Sequence, residues 1–476
     1  FLNRNSSDLS KNILSEVSRI IIGVIYPFLL ASSKIIVVIF ILALIIYADP
    51  LLSLLMSLIL TISYGIIYLI VRRNLKDIGE LSTISVLEKF KFTNEAFSGI
   101  KDVKLRGTEE EFVRRFSVPA KDYAIFSAKS SVISMLPRYA LETFAFGGIV
   151  LIVVYLISLQ INAISIVPTI SLFALAGYRL MPGLQQIYHS FVQIRYNTPA
   201  LELLLKDVNI FDTTSNISKS KNNHLSQIPS FNDKIILENV VYSYPGNEVK
   251  VLRGINVEIK CNTITAFVGS TGSGKTTLID ILLGLLEINN GKFTVDGNII
   301  NSNNIKSLQK QFGYVPQQIY LTDDTINKNI AFATKSDEID LSRVKTVAKL
   351  ARLDSFISSL PDKYNTFVGE RGVRLSGGQI QRIGIARALY NDPKILVFDE
   401  ATSALDNITE NNIMHSIQEL SKERTIILVA HRLSTIKNCD KIYLIDNGII
   451  SDSGSYADLK NRSQLFQNMI KKSEKA

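Results

Sequence analysis

The chain has 476 residues, enough for two or three domains, and 47% of them are hydrophobic, high for a protein without membrane segments. The net charge of +9 does not point to nucleic acid, because much of the basic character flanks apolar segments, as it does in the cytoplasmic loops of membrane proteins. The two cysteines, Cys261 and Cys439, stand far apart without CxxC or His-rich company, which argues against a disulfide framework or a thiolate metal site.

The chain opens on Phe1, and Phe1 to Lys11 is polar, with neither the n-region nor the h-region of a signal peptide. It is expected to be the downstream part of a longer protein. Apolar residues then dominate from Ile20 to Tyr47, broken by Ser32, Ser33 and Lys34, and again from Leu51 to Val71 after the turn residues Asp49-Pro50. Each run is long enough to cross ~30 Å of hydrocarbon as a helix. A second pair follows, Tyr139 to Leu159 and Ile161 to Leu180, joined around Gln160 and Asn162. Four runs in two hairpins predict a helical membrane domain. Arg72, Arg73, Lys76, Lys129 and Arg138 flank the runs on one side, and the turns on the other carry no Lys or Arg, so Arg72 to Ser130 is expected in the cytoplasm. Apolar residues at helical spacing (Ile84, Leu87, Phe90; Phe97, Ile100, Val103) carry the membrane helices on into the cytosol. Gly107 to Phe116 predicts a separate short helix, with Thr108 as N-cap, acids in its first turn and Phe112 and Phe116 on one face.

Composition shifts after Ala200 to Leu205: Asp212 to Asn232 is rich in Ser, Asn, Thr and Lys, as a linker is. From Ile235 short strand-like runs alternate with amphipathic helices, predicting an α/β domain with a largely parallel sheet. The expected division is a membrane domain over 1–205, a linker over 206–230 and an α/β P-loop domain over 231–476.

In that last part, Ile264 to Val268 leads into Gly269-Ser270-Thr271-Gly272-Ser273-Gly274-Lys275-Thr276 and then Thr277-Leu278-Ile279. Strand, glycine-rich turn and helix come in the order a phosphate cradle needs: glycines let backbone N–H groups converge on phosphate oxygens, Lys275 neutralises the β/γ-phosphates, and the Thr276 hydroxyl can hold Mg²⁺. Ile395 to Phe398 is a strand ending in Asp399 and Glu400; the first is placed beside the P-loop, reaching Mg²⁺ through water, and the second can polarise an attacking water. Leu375-Ser376-Gly377-Gly378-Gln379 opens another helix and offers a second anion-binding N-terminus. One chain thus has two phosphate-facing motifs and one cradle.

The P-loop, LSGGQ, ILVFDE, Ser403 to Asp406 and His431, in that order, resemble the nucleotide-binding domain of ABC transporters over about Ile235 to Glu474. The resemblance implies ATP and Mg²⁺ as ligands. It makes Tyr244 the aromatic that stacks on adenine, Gln317 the residue that senses Mg²⁺ and the membrane domain, Glu400 the general base and His431 the γ-phosphate switch. It makes Asp406 a residue of the dimer seam and Val368 to Gly372 a loop that feels the coupling helices. It implies head-to-tail dimers in which Ser376 and Gly378 of one chain meet ATP held by Lys275 of the other. With Lys275, Asp399, Glu400 and His431 all present, hydrolysis is expected rather than regulation by nucleotide binding alone.

In ABC exporters six helices precede this domain, so the first pair is expected to be absent here, leaving an incomplete translocation pathway, and Thr108 to Phe116 resembles the second coupling helix. Within the membrane runs the ionisable residues are Lys34, Glu142 and Arg179. Arg138 and Glu142, four apart, read as an ion pair, while Lys34 and Arg179 fall in the inner-leaflet half and suit an anionic headgroup or snorkel. Pro137 to Glu142, Tyr178 to Pro182 and the Asn5-Ser6-Ser7 opening resemble bacterial flippases for lipid-linked oligosaccharides, homodimers of the inner membrane with the nucleotide-binding domain in the cytoplasm. The expected cargo is an anionic lipid-linked glycan; the alternatives are a general lipid or multidrug exporter, or an ATP-binding regulator without transport.

Overall fold

The computed structural model describes residues 15–48, 50–158, 163–219, 231–247, 249–400, 421–430 and 433–473. The chain divides into two units, Phe1–Ile217 and Ser218–Ala476.

The first unit is helical. Helical turns at Val17–Ile20 and a π-helical turn at Ile21–Ile25 lead into α1 (Tyr26–Ala48); α2 (Pro50–Ser98), a short α3 (Ile100–Arg106), α4 (Glu109–Ser158) and α5 (Ala163–Lys219) follow. The described residues of the four apolar runs are helical throughout. Among the described residues, the path Val17–Tyr47 is long and apolar enough to cross a membrane, and most of it is exposed, including Phe28, Phe40 and Leu44. Such a surface is at home in lipid rather than water. At ~1.5 Å per residue α4 is roughly 75 Å long, more than twice the ~30 Å hydrocarbon thickness, so these helices extend far beyond a bilayer.

Small contacts knit the bundle. Val38, Ile45, Ala176 and Leu180 bury the α1–α5 seam, and Leu75, Tyr188 and Val192 bury that of α2 and α5. A Cβ on Gly79 of α2 would stand 2.2 Å from the Tyr196 carbonyl oxygen of α5, so the two backbones approach as closely as only glycine permits.

Three expectations need correction. Thr108 does precede a helix start with Glu109, Glu110 and Glu111 in its first turn, but that helix is α4 itself, 50 residues long, not a separate short one. The short element of this corner is α3, one turn upstream. It ends at Gly107, whose φ of 61° places it in the left-handed region that closes a helix. Lys104 of α3 ties the corner to Glu109 of α4 at 3.0 Å. The corner presents apolar side chains from both helices, Leu105 of α3 (85% exposed) and Val113 of α4 (66%), with Phe116 less open at 39%. Secondly, α5 stays helical to Lys219, well into the stretch expected as a linker. Side chains of Arg138 and Glu142 lie outside the described residues, as do Gln160 and Asn162; Lys34 and Arg179 are exposed.

The second unit holds two sheets. A six-stranded sheet runs β10-β9-β3-β8-β7-β6, from β3 (Ile264–Gly269), β6 (Phe312–Val315), β7 (Ile395–Asp399), β8 (Thr425–Val429), β9 (Lys441–Asp446) and β10 (Ile449–Gly454). Its pairings are parallel except β9 with β10. β3, β7 and β8 are buried along their whole length, which explains why they read as unbroken apolar runs. The third correction concerns the other sheet: β1 (Lys234–Tyr242), β2 (Leu252–Lys260), β4 (Asn290–Val295) and β5 (Asn298–Ile299) pair antiparallel in the order β2-β1-β4-β5. Strands β1 and β2 alternate buried and exposed positions, as a sheet packed on one face does. Phe267 and Leu278 join that face to the parallel sheet in one core.

Candidate nucleotide site

Strand β3 delivers the chain to Gly269, and α6 (Lys275–Leu282) starts at Lys275. Between them Gly272 (φ 81°) and Gly274 (φ 104°) take left-handed backbone, so the loop curls back over the helix N-terminus. A Cβ on Gly269 would stand 2.2 Å from the Ile445 carbonyl oxygen of β9, and one on Gly274 2.8 Å from Leu252 of β2. The Lys275 ammonium, buried to 5% exposure, donates to the carbonyls of Gly269 (3.0 Å) and Ser270 (2.9 Å). An ammonium has three protons, so one remains for an anion in the loop. Burial pulls the Lys275 pKa down, and the nearby carboxylates of Glu400 and Asp399 pull it back up. Ser273 Oγ is buried without a hydrogen-bond partner, an orphan polar atom within the cradle. Ser270, Thr271 and Thr276 are exposed, whereas Thr277 is buried and its hydroxyl pairs with Tyr244 Oη at 3.1 Å. That bond fixes the Tyr244 ring beside α6, edge-on to Tyr242.

β7 reaches the site with β8 inserted between it and β3, and Asp399 at its end stands within electrostatic reach of the P-loop Lys275. Asp399 and Phe267 are both register partners of Val429, which puts the carboxylate at the level of the P-loop. Asp399 is buried and accepts a hydrogen bond from Tyr314 Oη at 3.3 Å. Burial and the charges of Asp399 and Asp280 hold the Tyr314 hydroxyl well above its ordinary pKa, so it remains a donor. Glu400 follows with φ 52°, a left-handed backbone that swings its side chain out of strand alternation. Its Oε2 accepts from Gln317 Nε2 at 2.7 Å.

The second motif is built differently. Ser376 caps α7 (Gly377–Tyr390): its hydroxyl accepts from Gln379 N at 3.3 Å while Gln379 Oε1 accepts from Ser376 N at 2.9 Å. Ser376 and Gly377 are exposed, Gly378 and Gln379 half-buried. The helix leans on edge strand β6, where a Cβ on Gly313 would meet the Ala388 carbonyl oxygen at 2.4 Å. In the order β3-β8-β7-β6 that edge lies three strand steps from β3, roughly 14 Å. Within one chain the fold thus gathers Lys275, Thr276, Asp399, Glu400, Gln317 and Tyr244, while the side-chain hydrogen bonds of Ser376 and the bond to the Gly378 carbonyl run within their own helix. Before the motif, Gly369 (φ 78°), Arg371 (φ 53°) and Gly372 (φ 72°) twist the Val368 to Gly372 loop outward, leaving Arg371 exposed. His431 and Asp406 lie outside the described residues.

The donor set fits Mg²⁺. Among the described residues no three His, Cys, Asp or Glu side chains cluster as a metal cage. Magnesium keeps most of its water and takes one or two protein oxygens, and the Thr276 hydroxyl and Asp399 carboxylate, with Gln317 nearby, are of that kind. Two contributors escaped the sequence reading. Tyr314 orients Asp399 from the neighbouring strand. Arg387 of α7 donates to the carbonyls of Asn329 (2.8 Å) and Tyr320 (2.7 Å) and stacks on Phe332, pinning the segment that follows Gln317. An arginine late in an amphipathic helix looks solvated in sequence, and only the fold brings those carbonyls to it.

Family models match both units: the ABC transporter transmembrane region over residues 1–182 and the ABC transporter model over 252–403. A bacterial Atm1-family ABC exporter with ATP bound superimposes with a TM-score of 0.84, covering 99% of this chain and 81% of that one at 25% identity. The chain belongs to the ABC transporter family, with the exporter fold. Among relatives, the ATP-dependent lipid A-core flippase of Saccharophagus degradans is 43% identical over 236 residues, 50% of this chain and 40% of its own. A putative multidrug export ATP-binding/permease protein of Staphylococcus aureus is 42% identical over 238 residues, again 50% of this chain and 40% of its own. The chain matched here therefore spans well under two thirds of either relative.

Proposed function

We propose that two copies of this chain pack head to tail as an ATP-driven exporter in a bacterial inner membrane, with the membrane domain in 1–205, a linker over 206–230 whose first part continues the α5 helix to Lys219, and a cytoplasmic nucleotide-binding domain in 231–476. The cargo is a lipid, in its specific form a lipid-linked oligosaccharide. Each ATP is held between the P-loop of one copy and Ser376 to Gln379 of the other. Lys275 and the loop amides hold its phosphates, Tyr244 stacks on adenine, His431 contacts the γ-phosphate and Asp406 lies at the seam. Thr276, Gln317 and Asp399 hold Mg²⁺, which supplies charge neutralisation at the β- and γ-phosphates. Glu400 takes the proton of the attacking water.

One observation carries this reading: Glu400 stands at the strand end beside the Lys275 cradle, steered by a 2.7 Å bond to Gln317. A general base contributes ~10²–10⁴ in rate, so Glu400→Gln should lower ATP turnover by about a hundredfold or more without loss of nucleotide binding. The cargo is tested in sealed vesicles, following ATP-dependent loss of accessibility of a labelled polyprenyl-diphosphate glycan, with Glu400→Gln as control. Turnover that depends on Glu400 while the lipid stays put would move the assignment to a general lipid or multidrug exporter. The name of the Staphylococcus relative favours that second reading, and stimulation of turnover by uncharged apolar compounds would support it. Turnover that is slow and indifferent to Glu400→Gln would instead mark a nucleotide-binding regulator.

A further inference from the structure

The hairpin turn between β9 and β10 reaches the back of the phosphate loop. Asp446 pairs with Ile449, and the two residues between them, Asn447 and Gly448, have φ of 48° and 80°. Positive φ at both centres is what a two-residue hairpin with the native strand twist requires. Asn447 is exposed and Gly448 is buried. The Gly448 N–H donates to the Ser273 carbonyl of the P-loop at 3.1 Å, and the Gly448 carbonyl accepts from Arg253 N of β2 at 2.8 Å. A single residue thus ties the phosphate loop to both sheets. The fit leaves no room for a side chain: a Cβ on Gly448 would stand 2.2 Å from the Val251 carbonyl oxygen and 3.5 Å from Leu252 Cα, both backbone atoms.

Strand β9 also supports the start of the loop, where Gly269 pairs with Ile445. Beyond that support the loop is intrinsically loose, because Gly272 and Gly274 allow their peptides to turn over at little steric cost. The Ser273–Gly274 peptide is the one the hairpin turn holds. A peptide is planar and trans, so its carbonyl and its N–H point in opposite directions. Fixing the Ser273 carbonyl on Gly448 therefore fixes the Gly274 N–H to point away from the turn.

We propose that Gly448 is a positioning residue of the nucleotide site, acting through the Ser273 carbonyl to keep the Gly274 N–H aimed at the phosphates. This role rests on the reading of the P-loop as the phosphate cradle, and adds to it a residue that touches no nucleotide. Linkage makes the effect reciprocal: if the held loop binds nucleotide better, bound nucleotide must strengthen the Ser273–Gly448 bond by the same factor.

The test measures binding of a fluorescent ADP, mant-ADP, with Mg²⁺ to the full chain in phosphatidylcholine nanodiscs, fitting affinity and number of sites separately. Gly448→Ala should raise Kd about fivefold or more with the number of sites unchanged, since a loop aimed correctly only part of the time lowers affinity in proportion. Gly297→Ala is the matched control. Asp296 and Gly297 form the turn between β4 and β5 with φ of 48° and 79°, and a Cβ on Gly297 would meet nothing within 4 Å. That variant carries the same backbone strain away from the loop and should leave Kd unaltered. A misfolded fraction lowers the number of sites and not the affinity, so fewer sites with unchanged Kd would overturn the role of Gly448, as would equal weakening by both variants. The unaltered protein gives a second reading through hydrogen exchange resolved to single amides. Saturating Mg²⁺-ADP should slow exchange of the Gly448 amide about threefold or more and leave that of Gly297 unchanged. Absence of slowing overturns the role even where the variant does not fold. Neither measurement needs ATP turnover. An unaltered chain that binds no mant-ADP refutes the nucleotide reading and the role of Gly448 with it, whereas normal binding that ignores Gly448→Ala refutes that role alone.

Discussion

At the scale of single residues, the phosphate chemistry was legible because it fixes residue type and spacing together: Lys275, Thr276, Asp399 and Glu400 have few substitutes for what they do. Their supports were not legible, since Tyr314 and Asp280 look ordinary in sequence and acquire meaning only beside Asp399. Asp280 illustrates the cost of that crowding. Burial, with the Asp399 charge adding to it, raises its pKa above the usual 3.8. In the window from 3.8 up to that raised value the folded chain binds more protons than the unfolded one, so stability falls as pH rises through it. Above the window the carboxylate is ionised in both states and the penalty is constant. Asp280→Asn should therefore raise the apparent Tm at pH 7 in Mg²⁺-free buffer. The gain is below about 1 kcal/mol, because the group is half exposed and partly screened. Repeating the melts below about pH 4 should abolish it; a gain that ignores pH would rule out the ionised Asp280 as its cause.

Elements were legible where one period ran uninterrupted. The described parts of the four apolar runs lie in helices, and the buried strands β3 and β7 are the unbroken runs that lead into the P-loop and end in Asp399. Two features depended on contacts that local pattern does not carry. The antiparallel sheet is held by pairings such as Ile235 with Ile259 and Val295, which a reading of alternating strands and helices passes over. The corner after α2 differs from the expected one because the adjacent residues Gly107 and Thr108 serve different helices: Gly107 closes α3 and Thr108 precedes α4. The bond from Arg19 Nε to Asn197 Oδ1 is hidden from local pattern by distance: its acceptor is 178 residues away. Helix packing also predicts a sensitive position. Gly79→Ala sets a methyl 2.2 Å from the Tyr196 carbonyl oxygen, a backbone atom that cannot turn aside, so α2 and α5 must separate. A loss of about 1–3 kcal/mol is expected, as for other overpacked seams, read as easier proteolysis of the helical unit. Gly65→Ala on the same helix, where a Cβ would meet nothing within 4 Å, is the matched control and should be silent.

For the whole molecule, the decisive relation is between the two phosphate-facing motifs of one chain. If the P-loop works with the Ser376 motif of its own chain, each copy is self-sufficient; if it works with the partner's, each site is shared. Lys275→Ala and Ser376→Arg separate these cases. Either change, present in both copies, damages both sites and should leave almost no turnover. In a mixed dimer the outcomes diverge. With shared sites, the P-loop carrying Lys275→Ala faces the motif carrying Ser376→Arg, so both defects fall in one site and the other site is intact. With self-contained sites, each copy carries one defect and nothing is intact. Random pairing of equal amounts makes half the dimers mixed, each with one working site of two. Co-expression should thus restore about a quarter of wild-type turnover if the sites act independently. Recovery well above the sum of the separate variants supports the head-to-tail arrangement. If affinity-selected mixed dimers show none while retaining ATP binding at the unaltered P-loop, either the two motifs serve the same chain or both sites must fire for either to turn over. Dimers with Lys275→Ala in one copy alone then decide: a working single site leaves the self-contained arrangement, and a silent one shows strict coupling.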